Sequence, residues 1–187
     1  MTEHRQTTMA KIYRFKIAFK HDKKIWRRIE IKETQTLGDL DKTIRQAFKH
    51  LQWDHLSEFY QGKVWHSKGL GEINPYENSP GGRRRIKTLR LSEGDTMEHV
   101  YDFGDDIQHT VKLEKITQED KTTRYPAIVS QNKPRYQHCE ICEKQGKQTI
   151  ATWICIECSN DEQRDVLLCD DCITKGHEDH YAIETVY

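Results

Sequence analysis

The run KIYRFKIAFKHDKKIWRRIEI, residues 11–31, decides the fold. Tyr13, Phe15, Ile17 and Phe19 alternate with Arg14, Lys16 and Lys20, the period of two expected of a strand with one buried face. The polar stretch His21-Asp22-Lys23-Lys24 turns the chain, and Ile25-Trp26-Arg27-Arg28-Ile29-Glu30-Ile31 brings it back, so the pair reads as a hairpin. Thr36 followed three residues later by Asp39 marks a helix start, with Asp in place of the Glu of a capping box. Behind it Leu37, Leu40, Ile44, Ala47, Phe48 and Leu51 recur at helical spacing, which predicts one helix face laid on the sheet.

Further along the chain, residues 57–66 read as a third strand. Residues 69–85, rich in Gly, Pro, Asn and Ser, read as an exposed loop ending in Gly81-Gly82-Arg83-Arg84-Arg85. Residues 97–103, the turn Gly104-Asp105-Asp106, and Ile107, His109, Val111 and Leu113 in alternation form a second hairpin. Between Pro126 and Pro134 the pattern fades into a short strand and a linker. The expected architecture is α+β: a mixed β-sheet of five or six strands with one main helix, β-grasp-like, plus a small C-terminal zinc module. The division expected is a flexible leader over 1–9, the α+β domain over 10–128, a linker over 129–136 and the module over 137–187.

The formal charge is zero, but it is unevenly spread. Residues 1–136 hold 26 Lys and Arg against 19 Asp and Glu (26 − 19 = +7), and residues 137–187 hold 4 against 11 (4 − 11 = −7). A polyanion is therefore expected to meet the front of the chain and not the tail. No apolar run approaches the roughly eighteen residues that cross a bilayer, and residues 1–10 lack the apolar core of a signal peptide. The expected location is cytoplasmic, with no membrane partner.

All six cysteines fall between Cys139 and Cys172, in three Cys-x-x-Cys pairs: Cys139/Cys142, Cys155/Cys158 and Cys169/Cys172. His177-x-x-His180 supplies a fourth pair. Paired thiols at this spacing suit Zn²⁺, which takes four Cys or His donors in a tetrahedron, and four pairs make two complete structural sites. A site closed by four protein ligands leaves no position for a reacting water, so neither ion is expected to be catalytic. Sequential sharing of the pairs would close the second site over only four residues, 173–176. Interleaved sharing, first pair with third and second with fourth, avoids this and is favoured, with sequential sharing the alternative.

The series Cys169-x2-Cys172-x4-His177-x2-His180 behind two earlier pairs resembles the B-box and ZZ cross-brace zinc fingers, a resemblance that implies protein binding. The first pair here is Cys-Cys, where a B-box usually has Cys and His. In the front domain, Ile25-Trp26-Arg27-Arg28-Ile29, Leu37-Gly38-Asp39-Leu40, Trp53-Asp54-His55-Leu56-Ser57-Glu58-Phe59 and Tyr101-Asp102-Phe103-Gly104-Asp105-Asp106 together resemble the plasmid pRiA ORF-three-like family. Its members are often labelled insertion-element passenger proteins. The resemblance spans residues 10–128 and implies a fold more than a reaction. After Tyr125-Pro126 the family usually runs into a Cys-Pro-Pro and Gly-Gly stretch; here the cysteine-rich tail follows instead.

Three functions are expected from these signals. The first is a non-enzymatic interaction or adaptor protein, its partner another protein met by the surface around Trp153, Ile156, Asp161 and Glu162. The second is a nucleic-acid-binding accessory using Arg27, Arg28, Arg83, Arg84 and Arg85, with Trp26, Tyr60 and Trp65 to stack on bases. The third is a metal-dependent hydrolase built on Asp102, Asp105 and Asp106, with Glu58, His55 and His109 nearby. Against the third stands a simpler reading. Asp side chains in a turn accept backbone N–H bonds, and His109, in phase with Ile107 and Val111, belongs partly buried in the core. A cleft joining Trp26, Glu58, Asp102, Asp105 and His109 would favour catalysis or ligand binding; scattered positions favour interaction. No phosphate-binding glycine loop, activated-serine motif or His-Glu-x-x-His motif is present.

Overall fold

A computed structural model describes residues 9–50 and 54–187. The expected leader lies outside the described residues except for Met9, as do Leu51 and Trp53. Two compact units divide at Asn132/Lys133.

In the front unit, β1 (Lys11–Phe19) and β2 (Trp26–Lys32) form the hairpin read from the sequence, with Phe15 opposite Ile29 and Tyr13 opposite Ile31. The one α-helix among the described residues of this unit, α1 (Leu37–Ala47), opens with a full capping box: the Asp39 amide donates to the Thr36 hydroxyl and the Thr36 amide to the Asp39 carboxylate. Leu37, Leu40 and Ile44 are wholly buried with Phe15, Ile17, Ile29, Ile31, Phe59, Val111 and Leu113, the core between helix and sheet. Then come β3 (Ser57–Tyr60), β4 (Gly69–Ile73), a 3₁₀ turn (Ile86–Leu89), β5 (Thr96–Tyr101), β6 (Ile107–Gln118) and β7 (Ala127–Gln131). The sheet order is β4-β3-β5-β6-β1-β2-β7.

The α+β class and the single main helix are as expected, but the sheet has seven strands, and every pairing in it is antiparallel where a mixed sheet was expected. Consecutive strands β1–β2, β3–β4 and β5–β6 pair antiparallel, and β6, returning from the β5 turn, lies beside β1 running the opposite way. Periodicity encodes which residues are buried but not which way a strand runs. The segment 69–85, expected as a loop, begins with β4, paired on β3. Its glycines let backbones meet: a Cβ on Gly81 would lie 1.9 Å from the Gly71 carbonyl oxygen. β7 carries the sheet through Gln131, into the stretch expected to be linker.

The second unit comprises α2 (Glu140–Lys144), β8 (Trp153–Cys155), α3 (Ile156–Glu162), β9 (Leu167–Leu168), α4 (Asp170–Ile173) and β10 (Ala182–Glu184), with a small antiparallel sheet ordered β10-β8-β9. Its buried cluster is Cys139, Cys142, Cys155, Val166, Leu168, Cys169 and Ile173, so the donor cysteines are themselves the greater part of the core.

Candidate metal centre

Each Cys-x-x-Cys pair sits where an extended segment enters a short helix: Cys139, Cys155 and Cys169 are the N-cap residues of α2, α3 and α4, and their partners lie one turn inside. That turn aims both sulfurs of a pair at one point. The four pairs converge as two groups, Cys139/Cys142/Cys169/Cys172 and Cys155/Cys158/His177/His180, with the donor atoms of each group within 4.8 Å of one another. The grouping is interleaved, first pair with third and second with fourth.

The spacing within each group is informative. Cys142 Sγ lies 3.8 Å from Cys169 Sγ and 3.7 Å from Cys172 Sγ, far beyond a disulfide bond, and all six thiols are free. Zn–S bonds of about 2.3 Å at tetrahedral angles put sulfurs about 3.8 Å apart. In the second group Cys155 and Cys158 Sγ stand 3.2 to 3.7 Å from the Nδ1 atoms of His177 and His180, and the two Nδ1 atoms are 3.3 Å apart. Zn–N bonds of about 2.0–2.1 Å imply edges of about 3.5 Å for S···N and 3.4 Å for N···N. Both sets thus have the shape of a small tetrahedral cation's shell. Burial pushes the Cys139 thiol up, but amide donors from Cys142 and Cys169 outweigh it and bring it down to about 7. Cys158 is pushed up to about 11 by burial and by the adjacent Cys155 thiol.

The front unit distributes its predicted residues differently. Arg27 is a correction to the expected phosphate contacts: 5% exposed, it turns inward and donates to the Ala47 carbonyl, the Trp26 carbonyl and Asn132 Oδ1. Its place in register with Ile29 and Ile31 puts it on the buried face. Arg28 lies on the opposite face, paired with Glu114 and stacked 4.5 Å from the Trp26 ring, which Lys16 also approaches to 4.9 Å. Trp26 thus stacks on cations of its own chain. Tyr60 is buried and bonded to Glu58, so of the expected stacking rings Trp65 alone is exposed. Arg83, Arg84 and Arg85 are all exposed.

Two clefts of the front unit border α1, and none of Trp26, Glu58, Asp102, Asp105 or His109 lines either. Glu58 Oε1 accepts from the Gly71 amide in the middle of β4. Asp102 accepts from the Gly104 and Asp105 amides and pairs with His55 Nδ1 at 2.8 Å; Asp106 takes Trp65 Nε1 and Gln108 Nε2. These carboxylates serve the hairpin turn, and among the described residues no group able to hold a metal ion includes them.

His109 is fully buried, and it belongs to a chain that sequence reasoning missed. His50 Nε2 meets His109 Nε2 at 3.2 Å, His109 Nδ1 meets His99 Nδ1 at 3.3 Å, and His99 Nε2 meets Asp41 Oδ1 at 2.9 Å. Asp41 also accepts from Ser57 Oγ and from Arg45 Nε. Burial, then the neighbouring His99 charge, depresses His50 to about 3 and holds His109 well below the ordinary imidazole value. Asp41 is held below the usual carboxylate range: burial opposes ionisation, and bonds from His99 and Ser57 and the charge of Arg45 outweigh it. The one available sequence signal was His99, in phase with Met97 and Tyr101.

Among the described residues, a seven-stranded antiparallel sheet with one helix, followed by paired Cys/His donor sets, defines an α+β domain carrying an appendage able to hold metal ions. The chain belongs to the family described as plasmid pRiA4b ORF-3-like protein, which matches residues 11–141 and so takes in Cys139. Among solved structures it is similar to a protein of unknown function, MM3350, from Methanosarcina mazei Go1, with 28% identity and a TM-score of 0.52 over 66% of this chain and 70% of that one. No curated protein matches the chain. No helix among the described residues is long and apolar enough to cross a membrane.

Proposed function

We propose that residues 137–187 form a structural two-zinc module and that the protein acts, without catalysis, as an interaction or adaptor protein whose module docks on another protein. The observation that carries the zinc assignment is the donor geometry. Two sets of four Cys or His donors stand at the edge lengths of a zinc tetrahedron. With all four positions taken by protein, neither ion has a site for water or substrate. Docking is supported by the module's net charge of −7, which favours a basic partner segment, and by the apolar side chains of Ile150, Tyr181 and Ile183 exposed on the same unit.

The test has two parts. Elemental analysis of the purified full chain is expected to find two zinc ions per molecule. The full chain is then used to capture partners, beside a charge-reversed variant, Asp161→Lys/Glu162→Lys, and beside chelator-treated protein. A partner lost in both supports the reading. Capture indifferent to both, or a chain that binds no zinc, sinks it.

A further inference from the structure

The front unit presents its cations in two ways. On the sheet they are neutralised within the protein: Arg14 by Glu30, Arg28 by Glu114, Lys20 by Glu98 and Lys32 by Glu119. The segment that follows Gly82 is different. Arg83, Arg84, Arg85, Lys87 and Arg90 are exposed within eight residues, and no acidic side chain among the described residues pairs with any of them. Five like charges so placed repel one another, and an anion that displaces their diffuse counter-ions relieves that repulsion.

The backbone beneath them is fixed. Leu37 and Gly38 amides donate to the Arg84 and Gly82 carbonyls, and Ile86 and Lys87 amides donate to the Gln35 and Glu33 carbonyls. Ile86 and Leu89 are buried as anchors, so the segment offers a membrane no apolar side chain to insert. The cations are therefore carried on a clamped ribbon whose ordering is complete before any ligand arrives, which lowers the entropy cost of binding.

Beside this ribbon lies a cleft of about 450 Å³. Gly82, which leads into the arginines, is part of its wall, as is Thr36, bridged to Arg85. Tyr76, 73% exposed, lines the cleft with Asn74 and Ser79. Of its three acids, Asp39 and Asp41 are engaged internally, by the helix cap and by Arg45, and Glu77 is exposed beside Tyr76. The volume suits a single base, an aromatic face stands at its edge, and phosphate-binding cations begin at its wall.

From this juxtaposition we infer that the front unit binds single-stranded nucleic acid, its phosphates on Arg83, Arg84, Arg85, Lys87 and Arg90 and a base against Tyr76. The surface belongs to the front unit's own residues, and the inference does not rest on the reading proposed for the zinc module. Arg27 and Arg28, inward-facing and paired respectively, take no part.

The experiment uses the full zinc-loaded chain and a fluorescent twenty-nucleotide oligothymidine, followed by anisotropy between 50 and 200 mM salt, with the corresponding duplex in parallel. Arg83→Ala/Arg84→Ala/Arg85→Ala is expected to weaken binding at least tenfold at low salt. It is also expected to reduce the slope of log affinity against log salt by about 2, at about 0.7 per phosphate released. The charge-matched control Lys112→Ala/Lys115→Ala/Lys121→Ala, all exposed positions, is expected to change affinity less than threefold. Tyr76→Ala is expected to cost about fivefold or more on the single strand. Absence of binding at 50 mM salt overturns the inference, as does a control that weakens binding as much as the arginine triple. So does duplex binding as tight as single-strand binding with Tyr76→Ala unchanged.

Discussion

At the scale of single residues, the buried histidines show how burial converts titratable groups into a pH-dependent element of stability. With Asp41 ionised, His99 Nε2 must donate to it. The ring contacts continue from His99 Nδ1 to His109 Nδ1 and from His109 Nε2 to His50 Nε2, where a neutral imidazole donates at one nitrogen and accepts at the other. Above about pH 6.5 the folded and unfolded forms hold His50 and His109 equally neutral, and the two residues contribute no pH dependence. Below it the unfolded chain takes up protons that folded His50, depressed to about 3, and His109 refuse. Stability is therefore lost as pH falls, with a limiting slope of about 2.7 kcal/mol per pH unit for two such groups. Asp41 and the paired glutamates titrate lower, which leaves pH 6.5 to 5 to the histidines. Urea midpoints followed by tryptophan fluorescence in a Trp153→Phe background, where the remaining tryptophans report on the front unit, read this directly. A flat profile between pH 7 and 5 refutes it. Removing a charge from the same site is a sharper change. Asp41→Asn leaves the fully buried Arg45 without its carboxylate and is expected to cost about 3–5 kcal/mol, whereas Glu114→Gln, at the half-exposed Arg28 pair, is expected to cost under about 1 kcal/mol. Equal midpoints for the two variants would contradict this ranking.

At the scale of elements, legibility followed the presence of a buried face. The β1–β2 and β5–β6 hairpins and α1 were readable because each buries one side, so the apolar positions keep time with the pleat or the helical turn. β7 was not readable: it is an edge strand with four of five residues exposed, and it holds its place through backbone pairing to β2. β4 was hidden by the glycines that make it possible, since a Gly-rich stretch reads as loop until the partner backbone is known to pack against it. This assigns Gly81 a steric duty that can be measured. Gly81→Ala drives a methyl into the Gly71 carbonyl, a backbone atom that cannot rotate away, and is expected to lower stability by about 1–3 kcal/mol. Gly94→Ala is a poor comparison because its φ of +97° strains any side chain, so the proper reference is Thr88→Ala on the exposed 3₁₀ turn. The cap was legible down to the atom: Thr36 and Asp39 exchange the bonds that their spacing announced. Thr36→Ala is expected to cost about 1 kcal/mol.

At the scale of the whole molecule, the two units are stabilised by different physics, and metal removal separates them. The front unit buries an apolar core between a seven-stranded sheet and α1, and no group able to hold a metal ion lies among its described residues. The unit of residues 133–187 has strands of two or three residues, and four of the seven residues in its buried cluster are donor cysteines. In the site formed by four cysteines alone, each sulfur without zinc faces three others, and the module lacks the apolar surface to hold them together; domains this small are marginal even with a full core. Chelation is therefore expected to unfold the module and leave the front unit standing, because binding free energy at such sites is folding free energy. The readout is heteronuclear NMR of the full chain. On adding a strong zinc chelator, amide signals of residues 137–187 are expected to collapse to the narrow dispersion of unfolded chain, those of β1, β2 and β6 are expected to stay within experimental error, and two equivalents of Zn²⁺ are expected to restore the spectrum. Loss of the front-unit signals together with the module's would show that the two share a core, and an unchanged module would show that its eight donors are held by packing and not by metal.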